Sequence, residues 1–188
     1  MDRSHEYYRE VVIASVLHDI GKLFQRCRDK RYESGNEIEE SLYCPYRKEG
    51  NYFGYRHVLS TYGFIHEQKG IFPNGTNGEK IAELAAKHHL PDSSLETIIQ
   101  QADWISAGHD RFFEEDENVP RKTDYYEQPL KSIFSSVSVF NKKNPQASYY
   151  KLAQLGPGEE GFPEINFEKL PPEAYKKLAD DFPTTCAR

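Results

Sequence analysis

Apolar positions recur every three or four residues from Glu6 to about Phe24, where Val11, Val12, Ala14, Leu17, Ile20 and Leu23 alternate with polar neighbours. That period predicts a helix ending near Arg26, with Gly21 as its weak point. Arg28 to Asn51 follows neither the helical nor the strand period, which predicts an irregular, mobile excursion. A second helix is expected from Tyr55 to Gln68, closed by Gly70 and the turn-forming "FPNGTNG" of Phe72 to Gly78. A third runs from about Gly78 to His88 through Ile81, Leu84 and Ala85. Pro91-Asp92-Ser93 opens a fourth, in which Ser93 and Glu96 have capping-box spacing and Leu95, Ile98, Ile99, Ala102 and Ile105 form the apolar stripe. After Arg111 the charged, proline-containing "FFEEDENVPRKTD" marks a boundary near residues 114–124. Beyond it lie one strand-like run, Ser132 to Phe140, two Pro/Gly-rich connections and a short helix around Pro172 to Ala179. The division expected is a helical domain over residues 1–113 and an irregular extension over residues 114–188.

Several of these helices carry polar groups where the core should be. His18 follows Leu17 and shares a face with Lys22 at i+4, and Asp19 lies beside Ser15 and Leu23. His57 sits one turn before Thr61 in the second helix, the doublet His88-His89 ends the third, and Asp103 lies one turn after Ile99 in the fourth. A buried carboxylate or charged imidazole is costly unless it is paired, hydrogen-bonded or bound to metal. Four helices each presenting such a group point to one shared site. Imidazole nitrogen and carboxylate oxygen together suit a divalent transition metal, namely Mn, Fe, Co, Ni or Zn. The adjacent pair His18-Asp19 can serve two neighbouring ions, because consecutive helical side chains diverge by about 100°. Two ions some 3.5 to 4 Å apart would clamp a phosphate and acidify a bridging water.

Each of these residues also has a plainer reading. A single histidine is more often a hydrogen-bonded core or surface residue, and His5 and His66 are read that way. His109 in "AGHDR" stays open between a ligand and a surface neighbour, and Lys22 between a helix-end cation and a phosphate contact. The aromatic cluster Tyr43, Tyr46, Tyr52, Phe53 and Tyr55 could stack bases or pack a loop down. Gly75 and Gly78 make no phosphate loop, since no strand precedes them and no P-loop lysine follows in register. The formal charge of -6 argues against a protein that grips nucleic acid through a broad basic surface, although metal ions can supply local positive charge. Three cysteines without a CxxC pair, and no signal-peptide core, indicate a reducing cytoplasm. No apolar run approaches the roughly 20 residues of a membrane span.

His18-Asp19-Ile20-Gly21-Lys22 resembles the "HDIGK" signature of the HD phosphohydrolase superfamily. Its surroundings narrow the likeness: "LHDIGKLFQR" near the N-terminus, "YRHVLSTYGFI" at Tyr55 to Ile65, "KHHLP" at Lys87 to Pro91 and "QADWISAGHDR" at Gln101 to Arg111. That series, from residue 8 to about 111, is similar to the N-terminal HD domain of the large subunit of type III CRISPR effector complexes, the Csm branch. "QPLKSIFSSV" at Gln128 to Val137 and "YYKLAQLGPGEEGFPE" at Tyr149 to Glu164 resemble the connection that leads toward the family's first palm domain. No palm and no Gly-Gly-Asp-Asp motif follows, so cyclic-oligoadenylate synthesis is not expected of this polypeptide, and the ending "TTCAR" favours a truncated chain.

The resemblance implies an all-α, circularly permuted HD fold and divalent-metal-dependent cleavage of single-stranded DNA. Carried onto this chain, His18, Asp19, His57, His88, His89 and Asp103 would gather one or two ions, and Lys22, with His18 and Asp19, would act on the phosphate. Family members commonly have Glu where His109 stands. The partners implied are single-stranded DNA and the other subunits and guide RNA of a type III complex. Two rival readings are a phosphohydrolase acting on small nucleotides and a non-catalytic docking module whose metal serves stability alone.

Overall fold

A computed structural model of the protein describes residues 7–33, 36–111, 148–150 and 170–186, and of residues 107–111 and 181–186 it describes the backbone alone. The described residues form α1 (Tyr8–Leu17), α2 (Gly21–Arg26), α3 (Glu37–Tyr43), a ribbon of β1 (Tyr46–Arg47) and β2 (Tyr52–Phe53), α4 (His57–Glu67), α5 (Gly78–Ala86), α6 (Ser94–Arg111) and α7 (Pro172–Cys186). The architecture is mostly helical, consistent with the all-α HD-type domain expected. None of the described helices is long and apolar enough to cross a membrane.

The expected first helix is broken in two at His18-Asp19-Ile20. Over this step the backbone closes shorter bonds, Lys22 N–H to Asp19 C=O at 2.9 Å and Leu23 N–H to Ile20 C=O at 3.0 Å. The break has a cause on α4: Thr61 Oγ1 accepts from Gly21 N–H at 3.1 Å and donates to the His18 carbonyl at 3.1 Å. A side chain inserted into the i→i−4 ladder kinks a helix. Gly21 is required there, since a Cβ would stand 1.9 Å from the His57 carbonyl oxygen.

Helix α4 is buried along most of its length and packs against α2 and α5. Around it Phe24, Tyr32 and Phe64 form an aromatic cluster with ring centroids 4.7 to 5.4 Å apart, continued by Ile65, Ile81, Leu84 and Ile99. The helix starts at His57, later than expected, because Tyr55 adopts φ 56°, a left-handed conformation incompatible with helix. Helix α5 is capped by Asn77, whose side chain accepts from Lys80 N–H, and ends at Ala86 in a tight 3-10 turn over Lys87–His89. Pro91, which lacks an N–H, follows this turn.

The capping box of α6 is present: Ser93 N–H donates to Glu96 Oε2 at 3.0 Å, and Glu96 N–H to Ser93 Oγ at 3.4 Å. Its expected stripe is only partly realised. Ile99 is buried and Leu95 half-buried, whereas Ile98 and Ile105 are exposed. At 3.6 residues per turn Ile98, Ala102 and Ile105 lie on a flank roughly 60 to 120° from Ile99, while Glu96 and Asp103 share its side. The inward face is therefore partly polar.

Over residues 36–51 the expected irregular excursion gives way to regular elements. Asn36 caps α3 by accepting from Ile38 N–H, and α3 leads into the antiparallel ribbon, with Tyr46 opposite Phe53 and Arg47 opposite Tyr52. These elements are too short to show a period. Tyr43 and Cys44 anchor them in a second cluster with Val58, Leu59 and Ala86. Helix α7, which opens on Pro172 at a position suited to proline, extends past the expected Ala179. It packs on α2, burying Tyr175 and Ala179 in the main core, with Arg26 Nη1 donating to Tyr175 Oη at 2.6 Å. The strand-like run Ser132 to Phe140 and the boundary at residues 114–124 lie outside the described residues.

Candidate metal centre

Three local devices aim the donor side chains. The α1–α2 break presents His18 and Asp19 on the same side as α4, because Thr61 ties the break to that helix. The 3-10 turn after α5 sets His88 and His89 side by side, ring centroids 3.9 Å apart. His57 opens α4 and Asp103 lies on the inward side of α6. All six side chains, distributed over four helical segments in the sequence, meet in one place.

The distances are short. His57 Nε2 is 3.1 Å and His88 Nε2 3.8 Å from Asp19 Oδ1, and His18 Nε2 is 3.4 Å from both Asp19 Oδ2 and Asp103 Oδ1. The donors fall into two overlapping groups: Asp19, His57, His88 and His89, and His18, His88 and Asp103, the ligand atoms of each lying within 4.8 Å of one another.

Hydrogen bonding outside the cluster sets which nitrogen faces in. Nδ1 of His88 is 2.7 Å from the Ala85 carbonyl, and Nδ1 of His18 is 2.7 Å from the Ser15 carbonyl. A carbonyl only accepts, so each Nδ1 donates and each neutral ring turns a bare Nε2 lone pair inward. Among the described residues, Nε2 of His18, His57, His88 and His89 and Oδ1 of Asp19 are all buried without a hydrogen-bond partner. Five convergent buried polar atoms left unpaired would be destabilising in a finished core. Each imidazole nitrogen offers an electron pair in the tautomer protonated at Nδ1, as does the carboxylate oxygen, and a cation is what such a set accommodates. The residues present fit a divalent metal.

The charge states of His88, His89 and Asp19 agree with that fit, and that of His18 is the exception. Burial, reinforced by the other imidazoles, pushes the pKa of His88 down to about 4 and that of His89 to about 2, so both rings are neutral near pH 7. Burial opposes ionisation of Asp19, but His18, His57 and Lys22 outweigh it and hold the carboxyl far below the usual range. For His18 burial is likewise outweighed, by Asp19, the Ser15 carbonyl and Asp103, and its pKa is raised. Metal ligation needs neutral imidazoles and ionised carboxylates.

Lys22 does not enter the buried cluster: its Nζ donates to Asp19 Oδ2 at 2.5 Å, so it reaches the site through that carboxylate. His66 faces away, pairing with Glu79 at 3.2 Å and stacking on Tyr62. The His109 side chain and His5 lie outside the described residues. Sequence reasoning missed Thr61 as an organiser of the site, although a threonine one turn after His57 in a buried helix was a signal. It also left Tyr55 undecided, and its ring lies 4.0 Å from that of His89.

No protein-family model and no solved structure matches the chain. Among curated proteins, it is 28% identical over 182 residues to the CRISPR system single-strand-specific deoxyribonuclease Cas10/Csm1 (subtype III-A) of Methanocaldococcus jannaschii. The aligned part covers 93% of this chain and 20% of that protein, so the chain spans about a fifth of the relative's length. The likeness supports a relationship to the large subunits of type III CRISPR systems.

Proposed function

We propose that the chain is a divalent-metal-dependent phosphodiesterase that cleaves single-stranded DNA, working with the other subunits and guide RNA of a type III CRISPR effector in the cytoplasm. The observation that carries this reading is the inward convergence of five buried, unpartnered donor atoms from His18, Asp19, His57, His88 and His89. The relative's name supports the choice of substrate.

In this reading His18, Asp19, His57, His88, His89 and Asp103 hold one or two ions of Mn, Ni, Co, Fe or Zn. When bound, such an ion polarises a phosphoryl oxygen and acidifies water. The chain's own groups prepare the place. The Ser15 and Ala85 carbonyls hold the His18 and His88 rings in the ligating tautomer. Lys22 orients Asp19, and its half-exposed ammonium is available to steady a non-bridging phosphate oxygen. Half-buried Asp19 and Asp103 leave one side of the cluster open for a phosphodiester.

The test is direct. The chain, cleared of metal and reloaded with manganese or nickel, is expected to cut a labelled single-stranded oligonucleotide, and mononucleotides far less. Replacing His18→Ala together with Asp19→Ala is expected to abolish cleavage while far-UV circular dichroism stays near wild type. Cleavage retained by that variant in a metal-clean preparation overturns the assignment.

A further inference from the structure

The ribbon between Cys44 and Tyr55 is a built element whose purpose the metal centre does not explain. Gly54 N–H donates to the Pro45 carbonyl at 2.9 Å, Tyr46 Oη bonds Asn51 Oδ1, and the Tyr46 and Phe53 rings pack 5.3 Å apart. Its link to α4 is Tyr55, a bulky residue held at φ 56°. Such a conformation is strained for any side chain with a Cβ and persists only where surrounding contacts enforce it. Here it lays the phenol ring on His89 and brings it 6.3 Å from His57.

On that ring rests Arg47. Its Nη2 donates to Tyr55 Oη at 3.1 Å, and its Cζ stands 5.2 Å from the ring centroid. Arg31 and Arg56 are each tied to two carboxylates, Asp29 and Asp180 in one case, Glu33 and Glu40 in the other. Arg47 has no carboxylate partner among the described residues; a phenol alone positions it, exposed, one side chain away from the imidazole cluster. Beside it lies an open surface depression of about 410 Å³ lined by Arg47, Glu49, Gly50, Tyr52, Gly54 and Tyr55. That volume is in the range of a small-ligand site. The Tyr52 ring borders it, 57% exposed, with Gly50 laid against the ring so closely that a Cβ would come within 2.4 Å.

A guanidinium without a carboxylate partner binds phosphate, and an exposed phenol takes a nucleobase by stacking. We infer that Arg47, positioned by Tyr55, and Tyr52 form a subsite for one nucleotide of a single-stranded nucleic acid, next to the phosphodiester held at the metal centre. Arg47 pairs with the phosphate and Tyr52 stacks on the base. The placement beside a scissile bond rests on the nuclease reading; the binding itself does not need metal.

Fluorescence anisotropy with a labelled oligothymidylate, in EDTA, reads the subsite alone. Arg47→Ala is expected to weaken binding about tenfold and to reduce the slope of log affinity against log salt by about 0.7, one phosphate contact on a single strand. Arg47→Lys is expected to restore the slope. Tyr52→Ala should weaken binding about tenfold with the slope unchanged, and Tyr52→Phe should bind as wild type. Wild-type affinity and slope in both alanine variants, or absence of binding by the unmodified chain, overturn the inference. Metal-supported cleavage is a separate axis: binding contrasts without cleavage by the wild type would strike the nuclease reading and leave the subsite, whereas cleavage indifferent to Arg47 and Tyr52 in both KM and binding would do the reverse.

Discussion

Thr61 holds together two segments that the chain separates by 40 residues. Its single hydroxyl satisfies Gly21 N–H and the His18 carbonyl at once, where the helix ladder is interrupted. Thr61→Val keeps the shape and removes both bonds, leaving a buried N–H without a partner, at a cost of about 1–3 kcal/mol. The expected outcome is a lower denaturation midpoint with an unchanged urea slope. Metal affinity measured by calorimetry is expected to fall about tenfold, because His18 and Asp19 hang from the segment that Thr61 holds. Affinity unchanged in a folded variant would separate the break from the site. At this scale the candidates that converge were legible in the sequence: His18, Asp19, His57, His88, His89 and Asp103 are polar residues set in apolar periods. The tautomers were not, since they depend on which carbonyl each Nδ1 meets.

Elements tell a different story. The period marked α1, α4, α5 and α6, and the break at Gly21, the start at His57 and the end at Ala86 have local causes in Thr61, in Tyr55 and in the turn at Lys87–His89. It did not mark α3 or the ribbon, where packing of Tyr43 and Cys44 on Val58 and Leu59 does what amphipathic repetition does elsewhere. Helix α7 was legible as a short helix, but not its seat: Tyr175 is 149 residues from Arg26 in the chain and hydrogen-bonded to it in space. Tyr175→Ala is expected to cost about 3–5 kcal/mol through the cavity left in the main core. A chemical denaturation curve checks this, and a loss below about 1 kcal/mol would mean that α7 contributes little to the folded state.

For the molecule as a whole, the proposed metal site would couple ion binding to stability. An ion that binds the folded chain and not the unfolded one adds about 2.7 kcal/mol at a free concentration one hundred times its Kd. Manganese is therefore expected to raise the melting temperature by several degrees over that in EDTA, and His57→Ala to abolish most of that rise. An unmoved wild-type melting curve would leave the five unpaired atoms without an occupant. The formal charge of -6 sets a second expectation: with the overall charge opposing nucleic acid, oligonucleotide affinity should depend on salt only modestly, as one or two phosphate contacts dictate. A steep dependence would require a basic groove beyond Arg47 and Lys22.

Read by itself, the sequence determined the helical character of the chain, the capping of α6 by Ser93 and Glu96, and the donors available for a metal, because each is written within a turn or two of helix. Tertiary structure decided what those donors do together. It set the kink at Gly21 against Thr61, the tight turn that pairs His88 with His89, the burial that keeps their rings neutral, and the perch of Arg47 on Tyr55. The reason is range: backbone periodicity and capping act over about four residues, whereas the fields, hydrogen bonds and contacts that make a site act across whatever the folded chain brings within a few ångströms.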